Sequence, residues 1–139
     1  MVVVAIIGGF ALSGSPATER SRRFDQQRIN DLQMISTSID QSINNSTSDG
    51  RLPLTIEELR NQRDIYIGST IDPKTKKPYE YRPLTTETYE LCASFEMAMT
   101  QEQNSNPELM YPNPKMGSNF WDHEAGRKCY TVTVNRFTK

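Results

Sequence analysis

The opening stretch MVVVAIIGGFALSGSP limits what the rest of the chain can be. It is an apolar run that ends in small residues and a proline, and a long polar helical pattern follows directly. Nothing later in the chain is as hydrophobic. Of the 139 residues 35% are hydrophobic, below the usual globular share, and much of that share sits in this run. One end is therefore suited to lipid or to an apolar protein core, and the remainder to water. That division favours anchoring or assembly over catalysis. A complete membrane span needs about 20 apolar residues and only about a dozen precede Ser13, so the run crosses a bilayer only with further residues upstream. It is a poor signal peptide, because no basic residue precedes Val2 and ALSGSP makes an unconvincing cleavage site. The packing residues of the run are Val2, Val3, Val4, Ala5, Ile6, Ile7, Phe10 and Leu12.

Ser15-Pro16 reads as a helix start, with serine at the N-cap, proline at the first helical position and Glu19 as a capping-box acid. Phe24, Arg28, Leu32, Ile35, Ile39 and Ile43 then recur at spacings of three and four, with Ile29 beside them. This predicts an amphipathic helix to about Asn44, roughly 40 Å long. Asp25, Gln26, Asn30, Asp31 and Gln33 are expected on its polar face. Arg20, Arg22 and Arg23 follow the apolar run as a solvated face or as the basic flank of a membrane surface. The chain divides into an apolar helix over 1–15 and an amphipathic helix plus globular domain over 16–139. Gly14 and Pro16 are expected to break or kink the helix between the two, since glycine and proline are its least favourable residues.

The segment from Asn44 to Gly50 has loop composition. Thr55 to Glu58 is a capping box opening a short helix through about Gln62, with Leu52, Ile56 and Leu59 facing the core. Asp72-Pro73 interrupts the chain. KKPYEYRPL then reads as an edge strand bounded by prolines, and Thr88 to about Met97 as its hairpin partner after a turn at Thr85-Thr86-Glu87. Residues 98–127 form a polar excursion rich in proline and asparagine. A last strand runs from Cys129 to about Val134, with Tyr130, Val132 and Val134 on one face. The fold class is α+β, a long N-terminal helix packed on a small antiparallel sheet.

Cys92 and Cys129 lie in two of these strands. Neighbouring strands would let them bridge, closing a loop of roughly 37 residues and stabilising by about 3–4 kcal/mol. Such a bond persists in an exported protein. The alternative is a pair of reduced, buried thiols.

Few residues suggest chemistry. The net charge is −1 with both signs interspersed, which argues against nucleic acid as a partner. His123 is the sole histidine, and consecutive Asp122, His123 and Glu124 cannot all face one ion, so it is expected to pack under Trp121. Asp72, Asp122 and Glu124 are loosely placed candidates for oxygen donors of the kind a hard cation such as calcium takes. Asn44 and Asn45 open overlapping glycosylation sequons. No nucleophile triad or phosphate loop is present in the sequence. The expectation is a protein with no enzymatic role and no cofactor.

The start of the chain resembles the type IV pilins and pseudopilins, whose mature helix is typified by L-[LM]-V-V-V-A-I-I-G-I-L-A-A-I-A-I-P. Val2-Val3-Val4-Ala5-Ile6-Ile7-Gly8 matches residue for residue, and Ala11 and Pro16 keep their spacing. Leu52-Pro53 with Thr55 to Leu59 is similar to the LP-x-S-L-E-E-L stretch of secretion pseudopilins. Asp72-Pro73 with Pro78 to Tyr81 resembles their D-P-W-G-x-P-Y-x-Y turn and strand. Met1 stands at what would be the family's seventh mature position, so either the family's peptidase site and neutralising glutamate lie upstream of the sequence given or the protein dispenses with that pairing. Ser13, Gly14 and Ser15 replace the family's alanines and isoleucines. GSPATERSRRFDQQRINDLQMI, YELCASF and HEAGRKCY are also similar to the pseudopilin-like extracytoplasmic domain of some bacterial multi-span membrane proteins.

The resemblance implies a pilin-like lollipop and a structural subunit that polymerises with copies of itself into an extracellular, cell-surface filament. Before assembly the same helix would hold the monomer in the inner membrane. The alternatives are a membrane-anchored extracytoplasmic binding module, or a secretion pseudopilin that forms no long filament.

Overall fold

The computed structural model describes residues 15–45, 49–100 and 120–137. Helix α1 spans Pro16–Asn44. Ser15 is its N-cap, held in an extended conformation, and its hydroxyl accepts from the Ala17 N–H at 3.3 Å. Glu19 does not complete the expected capping box; its carboxylate pairs with Arg22 instead. The predicted stripe is buried from Arg28 onward, with Leu32, Ile35, Ile39 and Ile43 at the core. Phe24 is half-buried.

After a turn at Gly50, whose φ of 67° suits glycine, Leu52 enters the core and α2 covers Ile56–Arg60. The Thr55 hydroxyl accepts from the Glu58 N–H at 3.1 Å, and Glu58 reaches back to the Leu54 N–H at 2.7 Å. Helix α2 therefore starts where its capping box requires. It ends two residues short of the expected Gln62, because the Asn61 N–H already bonds back to Glu57 and Leu59.

The chain then returns along α1 in the opposite direction. Ser42 donates to the Gln62 side chain, Ser38 donates to the Tyr66 carbonyl at 2.7 Å, and Met34 lies against Gly68. Arg28 meets Asp72 at the far end. This strap covers one flank of α1, and a sheet covers another.

The sheet is antiparallel in the order β1-β2-β3, from Glu80–Pro83, Thr88–Phe95 and Gly126–Thr133. Strand β1 is at the edge, as its flanking Pro78 and terminal Pro83 require, since proline has no N–H to give a ladder. The β1–β2 turn is closed by the Thr85 hydroxyl, which accepts the N–H groups of Glu87 and Thr88. Strand β3 begins three residues earlier than the sequence pattern suggests, inside the expected 98–127 excursion. Gly126 pairs with Phe95 there, and its φ of 110° is open to glycine but strained for other residues.

Tyr89, Leu91, Ala93, Phe95, Tyr130, Val132 and Val134 face α1 and complete the core. Tyr89 donates to the Ser36 hydroxyl at 2.9 Å. Asn44 donates to the Asn135 carbonyl and accepts from the Phe137 N–H, while Asp40 accepts from the Asn135 N–H, so the C-terminal segment is laced to the end of α1.

Candidate functional site

The expected packing residues Val2 to Leu12, and Gly14, lie outside the described residues. What is described is the element they join. No residue from Ser15 to Phe24 is buried, whereas Asp25 is fully buried. The start of α1 therefore carries no core residue, and its contacts with the rest of the domain are made from Ser21, beside Glu96, and Phe24, under Lys74. It carries Arg20, Arg22 and Arg23 on exposed positions. Among the described residues no helix is long and apolar enough to cross a membrane.

The base of this end is fixed by a buried charge cluster. The sequence pattern put Asp25 and Asp31 on a solvent-facing side of α1, and the structure reverses that: Asp25 is 0% exposed and Asp31 3%. Arg28 sits between them, donating to Asp25 at 2.6 Å and to both oxygens of Asp72 at 2.6 and 3.2 Å. Asp25 also accepts from the backbone N–H groups of Glu96 and Met97, just past β2. Asp72 accepts from those of Lys74 and Thr75. One arginine thus ties three chain segments together. Burial acts to raise the Asp72 carboxyl, but the Arg28 guanidinium and the Thr75 and Lys74 N–H groups outweigh it and hold the pKa at about 2. Asp31 accepts from the Tyr79 hydroxyl at 2.7 Å and from Gln27 at 2.8 Å. Burial still raises its carboxyl above the ordinary value.

The signal for this cluster was legible in part. An arginine on an apolar stripe with an aspartate three residues earlier is an ion pair poised for burial. The Asp72-Pro73 turn that completes it is 44 residues away, and no local pattern connects the two.

Its bonds also decide the calcium candidates. The Asp72 oxygens are occupied by Arg28 and two backbone donors, so no carboxylate is left open there for a hard cation. Asp122 is half-buried and Glu124 exposed, next to the buried His123. His123 does not pack under Trp121. Its ring stacks on Phe95 with centroids 3.6 Å apart, and burial lowers its pKa. Trp121 packs instead on Tyr130 and Phe120. A backbone bridge between Met99 and His123 closes the base of the excursion; residues 101–119 lie outside the described set. Of the sequon asparagines, Asn44 is half-buried and fully engaged with Asp40 and the C-terminal segment.

On the outer face of the sheet, Cys92 and Cys129 are directly opposed with Cα atoms 4.0 Å apart, and they form a disulfide. Two ion pairs frame it. Arg127 forks onto Glu80 at 2.6 and 3.1 Å, and Arg82 meets Glu90 at 3.0 Å. Glu90, Cys92 and Cys129 form the one group of metal-type donors among the described residues. With both sulfurs joined to each other, the face is a crosslinked, polar outer surface and not a metal centre.

These features define an α+β domain in which a long helix is clamped between a strap and a three-stranded antiparallel sheet. Comparison with known protein families, curated proteins and solved structures finds no match to this chain.

Proposed function

We propose that the chain is a structural subunit of a type IV pilus-like filament, with no enzymatic role. The observation that carries this reading is the start of α1, which buries no residue before Asp25 and is the end that the apolar run joins in sequence. Copies would pack Val2 to Leu12 against the same segment of their neighbours at the filament axis, leaving the sheet face and its disulfide outward. Burying some ten apolar side chains at about 1.5–3 kcal/mol each supplies a large gross driving force, which ordering and association costs offset in part. Before assembly the same segment holds the monomer in the inner membrane, and the assembled protein is extracellular.

A second reading is favoured by one detail. Ser15 is extended, with ψ of 137°, so helical geometry does not run through it. A hinge at that residue suits a membrane-tethered extracytoplasmic module, or a secretion pseudopilin that never builds a long fibre.

Electron microscopy of detergent-free native material separates the two. Filament assembly predicts helical fibres several nanometres wide that vanish on Ile7→Lys. Monodisperse particles that need detergent would sink the filament and leave the tether.

A further inference from the structure

Around the start of α1 the charges are sorted by sign. The carboxylates of Asp25 and Asp72 point inward and are consumed by Arg28 and by backbone donors. The cations point outward. Arg20 and Arg23 are exposed on the helix. The turn Asp72–Lys77 is pinned to the same helix just after Arg23, through Lys74, whose ammonium lies 6.0 Å over the Phe24 ring, and through Asp72 to Arg28. Lys76 and Lys77 are exposed on the same turn.

The exposed acids packed against this end are Glu19, paired with Arg22, and the partly exposed Glu96, paired with Lys74. Asp122 and Glu124 lie further on, beside His123. Arg20, Arg23, Lys76 and Lys77 have no ion pair among the described residues. Lys76 also holds a φ of 59°, a left-handed conformation that glycine adopts without cost and lysine does not. A long cation kept where glycine would fold better points to a role for its charge.

We propose that these four residues form a collar that docks on an anionic lipid surface. The inference rests on the membrane-held state proposed above and names the surface that state faces. The apolar run ends a few residues before Pro16. With that run in the bilayer, Arg20 and Arg23 lie roughly 6–11 Å further along the helix, at headgroup depth. Basic side chains at that depth are drawn to anionic lipid, each by about fivefold in binding, and the attraction fades beyond a Debye length of about 10 Å. A neutral surface offers these cations nothing, and a purely filament-packing role offers no reason for a strained lysine.

The test uses the full chain, floated with phosphatidylcholine vesicles and with vesicles that are one third phosphatidylglycerol. Binding to the anionic vesicles is expected to exceed binding to the neutral ones by tenfold or more, and to lose that excess at about 0.5 M salt. The variant R20Q/R23Q/K76G/K77Q should bind both alike, with unchanged affinity for the neutral lipid. Lys76→Gly alone should raise the urea midpoint while lowering anionic-lipid binding about fivefold, which separates docking from folding. Equal flotation of the parent on both lipids would overturn the collar and leave the membrane anchor standing. Failure to float with either would overturn the membrane-held state and the collar with it. An equal, salt-sensitive, variant-sensitive affinity for a soluble polyanion such as heparin would replace lipid docking by unspecific polyanion binding.

Discussion

Replacing Arg28 by Met keeps most of the side chain's length and removes its charge from a site that is almost dry. The Arg28 side chain is 2% exposed, with Asp25 at 0% and Asp72 at 9%. Removing one partner of a buried pair costs about 3–5 kcal/mol, because the other charge stays buried. Here each carboxylate keeps two backbone donors, from Glu96 and Met97 for Asp25 and from Lys74 and Thr75 for Asp72. That places Arg28→Met at the low end, about 3 kcal/mol. With a urea m-value of about 1.5–2 kcal/mol/M, the unfolding midpoint should fall by roughly 1.5–2 M, read by circular dichroism with the disulfide intact.

The pH dependence identifies the cause. Asp72 has a folded pKa of about 2 against an ordinary 3.8, so its contribution is fully present above 3.8 and is lost as pH falls through 2. That contribution is about 2 kcal/mol. In Arg28→Met the Asp72 carboxylate loses the guanidinium that holds its pKa down, so the gap between parent and variant should narrow as pH drops from 5 to 2. A loss below about 1 kcal/mol at pH 7, or a gap that does not change with pH, would refute the reasoning and reduce Arg28 to a packing role.

Cys92→Ser/Cys129→Ser should lower stability by about 3–4 kcal/mol in urea unfolding, as expected for a 37-residue separation. Gly126→Ala should destabilise by about 1 kcal/mol or more through backbone strain alone, since a Cβ there meets nothing within 4 Å. Thr55→Ala should cost about 1 kcal/mol by removing the cap of α2, measured as a shift in thermal midpoint. Tyr79→Phe removes a buried donor from Asp31 and should cost about 1.5–3 kcal/mol at pH 7. Because burial raises the Asp31 carboxyl, stability already falls as pH rises through its folded value; the variant should steepen that fall, followed by urea midpoints across pH 4 to 7.

The basic end of α1 was half legible in the same sense as the charge cluster. Arg20, Arg22 and Arg23 announce a basic flank because they are neighbours on one helix. The turn that carries Lys76 and Lys77 is brought to α1 only by the contacts of Asp72 with Arg28 and of Lys74 with Phe24, and no spacing rule spans some fifty residues.

What the sequence determined by itself is whatever short-range chemistry controls. Ser15-Pro16 sets the start of α1, because serine accepts an orphan N–H and proline needs none. The spacing of Leu32, Ile35, Ile39 and Ile43 sets its buried face, and Thr55 with Glu58 sets the start of α2. The prolines around β1 put it at an edge, and Thr85 closes its hairpin. Tertiary structure alone decided the rest. Periodicity reveals which side of a helix is most apolar, but it cannot show that a second layer will cover the polar side. The segment just past β2 does that for Asp25, through the Glu96 and Met97 N–H groups, and Tyr79 does it for Asp31, burying both where the pattern placed them in water. Likewise only the pairing of Phe95 with Gly126 sets where β3 begins, and the same register brings Cys92 opposite Cys129. Those partners lie 31 and 37 residues apart, and long-range packing is what selects them.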